Sequence, residues 1–75
     1  MNKFTEEQLI ETVGRLRKEH PSYGPSLSEL AVALHATTQA VAIRVRKPIK
    51  EGKLLGVYDN GRLIPGSLDV PSVPG

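Results

Sequence analysis

The most constraining feature of this 75-residue chain is how little backbone separates two helical signals near its middle. Ser26-Leu27-Ser28-Glu29 has the form of a capping box, and Leu27, Leu30, Ala31 and Leu34 follow it on one helical face. This spacing predicts a helix over about Leu27 to His35, with Ala36 as the turn. Thr37 then caps a further helix whose inward positions are Val41 and Val45. Two helices joined by so few residues must cross steeply, which is the geometry of a helix-turn-helix.

An earlier helix is signalled by Phe4-Thr5-Glu6-Glu7-Gln8-Leu9, where Thr5 and Gln8 form a second capping box and Phe4 packs on Leu9. It is predicted over about Thr5 to Glu19. Leu9, Val13 and Leu16 point inward with Ile10 beside them, whereas Glu6, Glu7, Glu11, Arg15, Arg17 and Lys18 mostly face water. His20-Pro21-Ser22-Tyr23-Gly24-Pro25 ends it, because proline disfavours helical backbone in the residue before it.

Two features follow the third helix. Pro48 stands one turn after Val45, where proline removes the hydrogen bond to the Arg44 carbonyl. The regular helix is therefore expected to end or kink near Arg46-Lys47, with Pro48 to Glu51 forming a further turn closed by Gly52 and Ile49 taking the inward role. Next, Leu54 to Tyr58, Asp59-Asn60-Gly61 and Arg62 to Ile64 read as a β-hairpin, since Asn-Gly supplies the positive φ angles of a tight primed turn. The expected fold is mostly α (α+β): three helices in a winged helix-turn-helix with a C-terminal β-hairpin wing. Residues 1–65 are assigned to this domain, and the Pro- and Gly-rich residues 66–75 to a flexible tail or linker.

A chain this short buries only about 60% of the surface its unfolded form exposes, so its core must be economical. It contains no cysteine, which removes disulfides, thiolate ligands and thiol nucleophiles. Neither a signal-like apolar stretch nor a membrane-length run is present, so the expected location is the cytoplasm, nucleoid-associated, with no membrane partner. No phosphate-cradling glycine loop, paired carboxylates or H-x-x-x-H spacing appears. The expectation is a protein that is not an enzyme and takes no cofactor or metal, with His20 at a helix end and His35 in a turn.

Charge is more informative in its distribution than in its sum. Ten Lys and Arg against eight Asp and Glu leave a net charge of only +2. Yet Arg44, Arg46, Lys47, Lys50 and Lys53 fall within residues 44–53 with Glu51 as the one acid among them. Such a patch raises local phosphate affinity even on a nearly neutral protein.

The pattern Ser26-x-x-Glu29-Leu30-Ala31-x-x-Leu34, then Thr37-x-x-x-Val41, then Gly52-x-Leu54-Leu55 resembles the winged helix-turn-helix superfamily of prokaryotic and phage transcriptional regulators. It is similar to the N-terminal domain of LexA-type repressors and to the MarR-type core, over about Thr5 to Ile64. The chain departs from that pattern at His35, where glycine is usual, and at Pro48. The resemblance implies a small, repressor-like regulator that binds double-stranded DNA sequence-specifically, as a homodimer on a two-fold site.

With Val41 and Val45 inward, the helical wheel places Gln39, Ile43, Arg46 and Lys47 on the opposite face, with Thr38 and Arg44 toward its flanks. Thr38, Gln39 and Ile43 are the candidates for base edges: Gln39 pairs with adenine and Ile43 meets a thymine methyl. Arg46 reads guanine or holds a phosphate. Lys47, Lys50 and Lys53 hold the backbone, and Ser26 and Ser28 offer donors to a further phosphate. Asn60 and Arg62 carry the wing to the adjacent minor groove or its phosphates. Thr37 is a cap first and a contact second, and Ile43 suits a dimer interface equally well. The alternative function is a winged-helix interaction module that binds RNA polymerase or another regulator, and a third possibility is the DNA-binding part of a longer regulator.

Overall fold

Hydroxyl side chains set the start of each long helix in the computed structural model, which describes residues 4–71. The first helix, α1, spans Glu6–Glu19; its capping box joins the Gln8 amide to Thr5 Oγ1 at 3.1 Å and the Thr5 amide to Gln8 Oε1 at 2.9 Å. The second, α2, spans Leu27–Leu34 with the same reciprocal pair between Ser26 and Glu29. Thr37 caps α3, Thr38–Arg44, by accepting from the Ala40 amide at 3.1 Å. All three boundaries follow from interactions spanning three residues, and each satisfies an amide that a helix start would leave orphaned.

The α2–α3 turn closes in an unusual way. His35 adopts the left-handed conformation, φ 53° and ψ 43°, while its amide donates to Val32 O and the Ala36 amide to Ala31 O. This double bond pattern ends a helix most readily with glycine, because a Cβ in this conformation costs about 1–2 kcal/mol. His35 is exposed. Allowing for the extra freedom glycine gives the unfolded chain, His35→Gly is expected to stabilise the domain by about 0.5–1 kcal/mol, a rise of roughly 4 °C in the melting temperature measured by circular dichroism.

Pro48 interrupts the third helix earlier than the sequence indicates. Helix α3 stops at Arg44, close to the expected end near Arg46-Lys47, and a five-residue α4, Arg46–Lys50, starts after Val45 in place of the turn expected over Pro48 to Glu51. A new start makes physical sense, because the first four amides of any helix lack an intrahelical partner and the missing N–H of Pro48 then costs no bond. The inward role also goes to Pro48 itself, which is fully buried, while Ile49 is only partly covered.

Beyond α4, the strands β1, Tyr58–Asp59, and β2, Arg62–Leu63, pair antiparallel with Tyr58 opposite Leu63. Asn60 and Gly61 both carry positive φ, 51° and 77°, as a primed turn demands. The hairpin is shorter than expected because Leu55 has another partner: it bridges Asp69, with Leu55 N–H to Asp69 O at 2.8 Å and the return bond at 3.1 Å.

That bridge departs from the flexible tail expected over 66–75, for the described part of that stretch alone. This part, residues 66–71, lies against the body: Leu68 is 1% exposed, Val70 packs on the core, and Gly24 N–H donates to Gly66 O at 3.0 Å. Residues 72–75 lie outside the described residues. The core beneath these elements joins Phe4, Leu9 and Val13, Leu30 and Ala31, Val41 and Val45, and Leu54 and Leu68. Thr12 is buried among them, its hydroxyl satisfied by the Gln8 carbonyl at 2.7 Å. The chain thus folds as a helix-turn-helix followed by a β-hairpin in the position of a wing, a small α+β fold.

Candidate nucleic-acid interface

The outer face of α3 is open. Val41 and Val45 are wholly buried, so the opposite side of the wheel turns to water: Thr38, Gln39, Ile43 and Arg44 are exposed, with Ile43 at 65%. The same holds beyond α3, where Arg46, Lys47, Lys50, Lys53, Asn60 and Arg62 are all exposed. Of the residues expected at the interface, only Ser26 is partly covered; Ser28 and Thr37 are exposed, and the hydroxyls of Ser26 and Thr37 are engaged as caps. A shallow cleft brings Ser26, Ser28 and Thr38 together with the hairpin residues Leu63 and Ile64. The start of α2, the start of α3 and the wing therefore share one region of the surface.

Exposure does not make every cation available. Lys53 Nζ lies 3.2 Å from Glu6 Oε1 and 3.5 Å from Glu51 Oε1. Its hydrogen bond to Glu6 and the two carboxylates raise the Lys53 pKa, and the same bond holds Glu6 below its ordinary value against a smaller desolvation effect. Lys53 thereby clamps the start of α1 to the segment after α4. The Arg44 guanidinium sits over the Phe4 ring, 4.4 Å from its centroid. Arg46 reaches the wing, its guanidinium carbon 5.3 Å from the Tyr58 ring centroid and Nη2 donating to the Gly61 carbonyl at 3.3 Å.

These contacts divide the basic cluster of residues 44–53. Arg44, Arg46 and Lys53 have partners within the fold, whereas Lys47, Lys50 and the wing residue Arg62 form no ion pair among the described residues. Lys47 shares the rim of a small depression with Ile43 and Arg44. Sequence reasoning missed the partners Phe4, Glu6 and Tyr58. Tyr58 carried a faint signal, an aromatic side chain in a predicted wing strand; Glu6 carried none, since it reads as an ordinary first-turn acid.

Other chemistries find little here. Among the described residues no three His, Asp or Glu side chains gather as a metal site, and no helix is long and apolar enough to cross a membrane. Comparison with protein-family models, with curated proteins and with solved structures returned no match to the chain.

Proposed function

We propose that this chain binds double-stranded DNA sequence-specifically as a small transcriptional regulator, with α3 in the major groove and the hairpin on the flanking backbone or minor groove. The observation that carries the reading is the open face of α3, where Thr38, Gln39 and Ile43 stand exposed on a helix locked from below by the buried Val41 and Val45. Rigid anchorage matters because base readout needs donors held in register with base edges. Lys47, Lys50 and Arg62 supply the phosphate contacts, which carry affinity and little sequence information. A homodimer on a two-fold site completes the proposal, because a helix of seven residues reads only a few base pairs.

Selection from randomised duplexes, followed by anisotropy titration across a salt series, tests it. A selected site should bind at least about 10³-fold more tightly than random duplex. Gln39→Ala should cost roughly 10- to 100-fold discrimination at one base position. By contrast, Lys50→Ala should weaken all sequences alike and lower the slope of log K against log salt by about 0.9. Absence of binding at low salt, or binding indifferent to salt, would overturn the proposal.

A second reading rests on Ile43, a large aliphatic residue 65% exposed beside cations already engaged within the fold. In that reading the face of α3 meets RNA polymerase or another regulator. Stoichiometric co-purification of one protein after nuclease treatment, abolished by Ile43→Asp, would favour it.

A further inference from the structure

Arg46 diverges most between expectation and position. The helical wheel makes it a groove-facing reader of guanine or phosphate, yet its side chain crosses to the wing. We propose that Arg46 is a positioning residue that sets the hairpin against α3, so that helix and wing engage DNA together; this rests on the DNA-binding reading above.

The hairpin needs such support. Each of its strands is two residues long, and two-stranded hairpins are marginal in water even when longer. Its base is secured by Ile64 N–H to Val57 O at 2.8 Å and by Ser67, whose hydroxyl accepts from the Val57 amide and donates to the Ile64 carbonyl. None of those bonds reaches the turn. Among the described residues, the bond from Arg46 to the Gly61 carbonyl is the one side-chain hydrogen bond between the helices and that turn. The guanidinium also covers the Tyr58 ring, so one planar group touches both the strand and the turn.

The root of the side chain is equally well placed. Arg46 opens α4 directly after Val45, which has no exposed surface. A rigid core position is thus linked through one side chain to the wing tip, next to Arg62. Lysine cannot reproduce this, because a point ammonium lacks both the flat face that stacks on an aromatic ring and the fork of donors.

Relaxation measurements on the free protein test the brace without DNA. Amide order parameters at Asn60, Gly61 and Arg62 should stand near 0.8 in the unsubstituted chain and fall below about 0.6 in both Arg46→Ala and Arg46→Lys, with the helices unchanged. A double-mutant cycle on the selected duplex then reads the consequence. Arg46→Ala and Arg62→Ala should each weaken binding about tenfold, and the double variant little more than either alone. Adding Arg46→Ala to Arg62→Ala should leave the salt slope unchanged. Multiplying losses, with the slope falling by a further 0.9 or so, would identify Arg46 as a direct phosphate contact and overturn the proposal. So would order parameters that do not move. Loss of order in the variants, combined with no DNA binding by the unsubstituted chain, would keep the brace and remove the DNA reading alone.

Discussion

Gly24→Ala is expected to destabilise the domain by about 3 kcal/mol, at the upper end of what an overpacked site costs. Gly24 is buried in the loop between α1 and α2, and a Cβ there would lie 1.8 Å from the Leu68 carbonyl oxygen, 2.8 Å from its carbon and 3.1 Å from the Gly66 oxygen. All three neighbours are backbone atoms, so no side chain can swing aside. Either the loop or the 66–70 segment must move, and moving the segment breaks both the bond from Gly24 to Gly66 and the Leu55–Asp69 bridge. A 75-residue domain has about 4–11 kcal/mol of stability in total, so the loss amounts to roughly a quarter to three quarters of it. Thermal and urea unfolding followed by circular dichroism should show a fall of roughly 12–24 °C in the melting temperature. Gly14→Ala is the matched control: its Cβ would make only ordinary contact with Val70, at 3.6 Å, and alanine favours the interior of α1. A Gly24→Ala protein as stable as the unsubstituted chain would show that the segment does not pass where the structure puts it.

The second large effect is expected of Leu68→Ala. Leu68 is 1% exposed and belongs to the same core as Leu9, Leu30 and Leu54, so truncation removes transfer energy and leaves a cavity, at about 2–5 kcal/mol. The measurement separates two descriptions of the chain's last part. In a loose tail, a leucine-to-alanine change alters stability by no more than about 0.5 kcal/mol; in a docked segment it removes an anchor. Polar contacts along the segment do not compete with that anchor in size. Arg17 Nε lies 3.3 Å from Asp69 Oδ2 with both side chains about one-third exposed, and such pairs contribute about 0–1 kcal/mol in water. Arg17→Ala should accordingly cost far less than Leu68→Ala in the same unfolding experiment.

Both predictions concern a segment that reads in the sequence as a tail. Pro65, Gly66, Ser67 and Pro71 carry no helical period and no strand alternation. Leu68 docks because Gly24 leaves room for a carbonyl to pass and because Leu55, outside the β1–β2 ladder, offers its backbone N–H and carbonyl to Asp69. Neither condition can be seen from Leu68 itself, since both partners are distant in the chain. Arg46 presents the same problem from the opposite side. Its helical phase was legible and its exposure followed, but the direction of a long side chain depends on where Tyr58 and Gly61 arrive. Pro48 shows a milder version: the break in the helix was legible, whereas its exact register and the burial of the proline depended on the hydrophobic surface waiting beneath.

The sequence by itself determined the parts that short-range chemistry decides. Thr5 with Gln8, Ser26 with Glu29, and Thr37 placed the helix starts; Val41 and Val45 set which side of α3 is buried; Asn60-Gly61 made the turn of the hairpin. Each of these acts within three or four residues, or through a period that any window of the chain displays. Only the tertiary structure decided which cations are spoken for and whether the last segment belongs to the body. Arg44 found Phe4, Lys53 found Glu6, Arg46 found the wing, and Leu68 found the core. Those partners meet across long stretches of chain, and their pairing depends on the backbone having already closed around them.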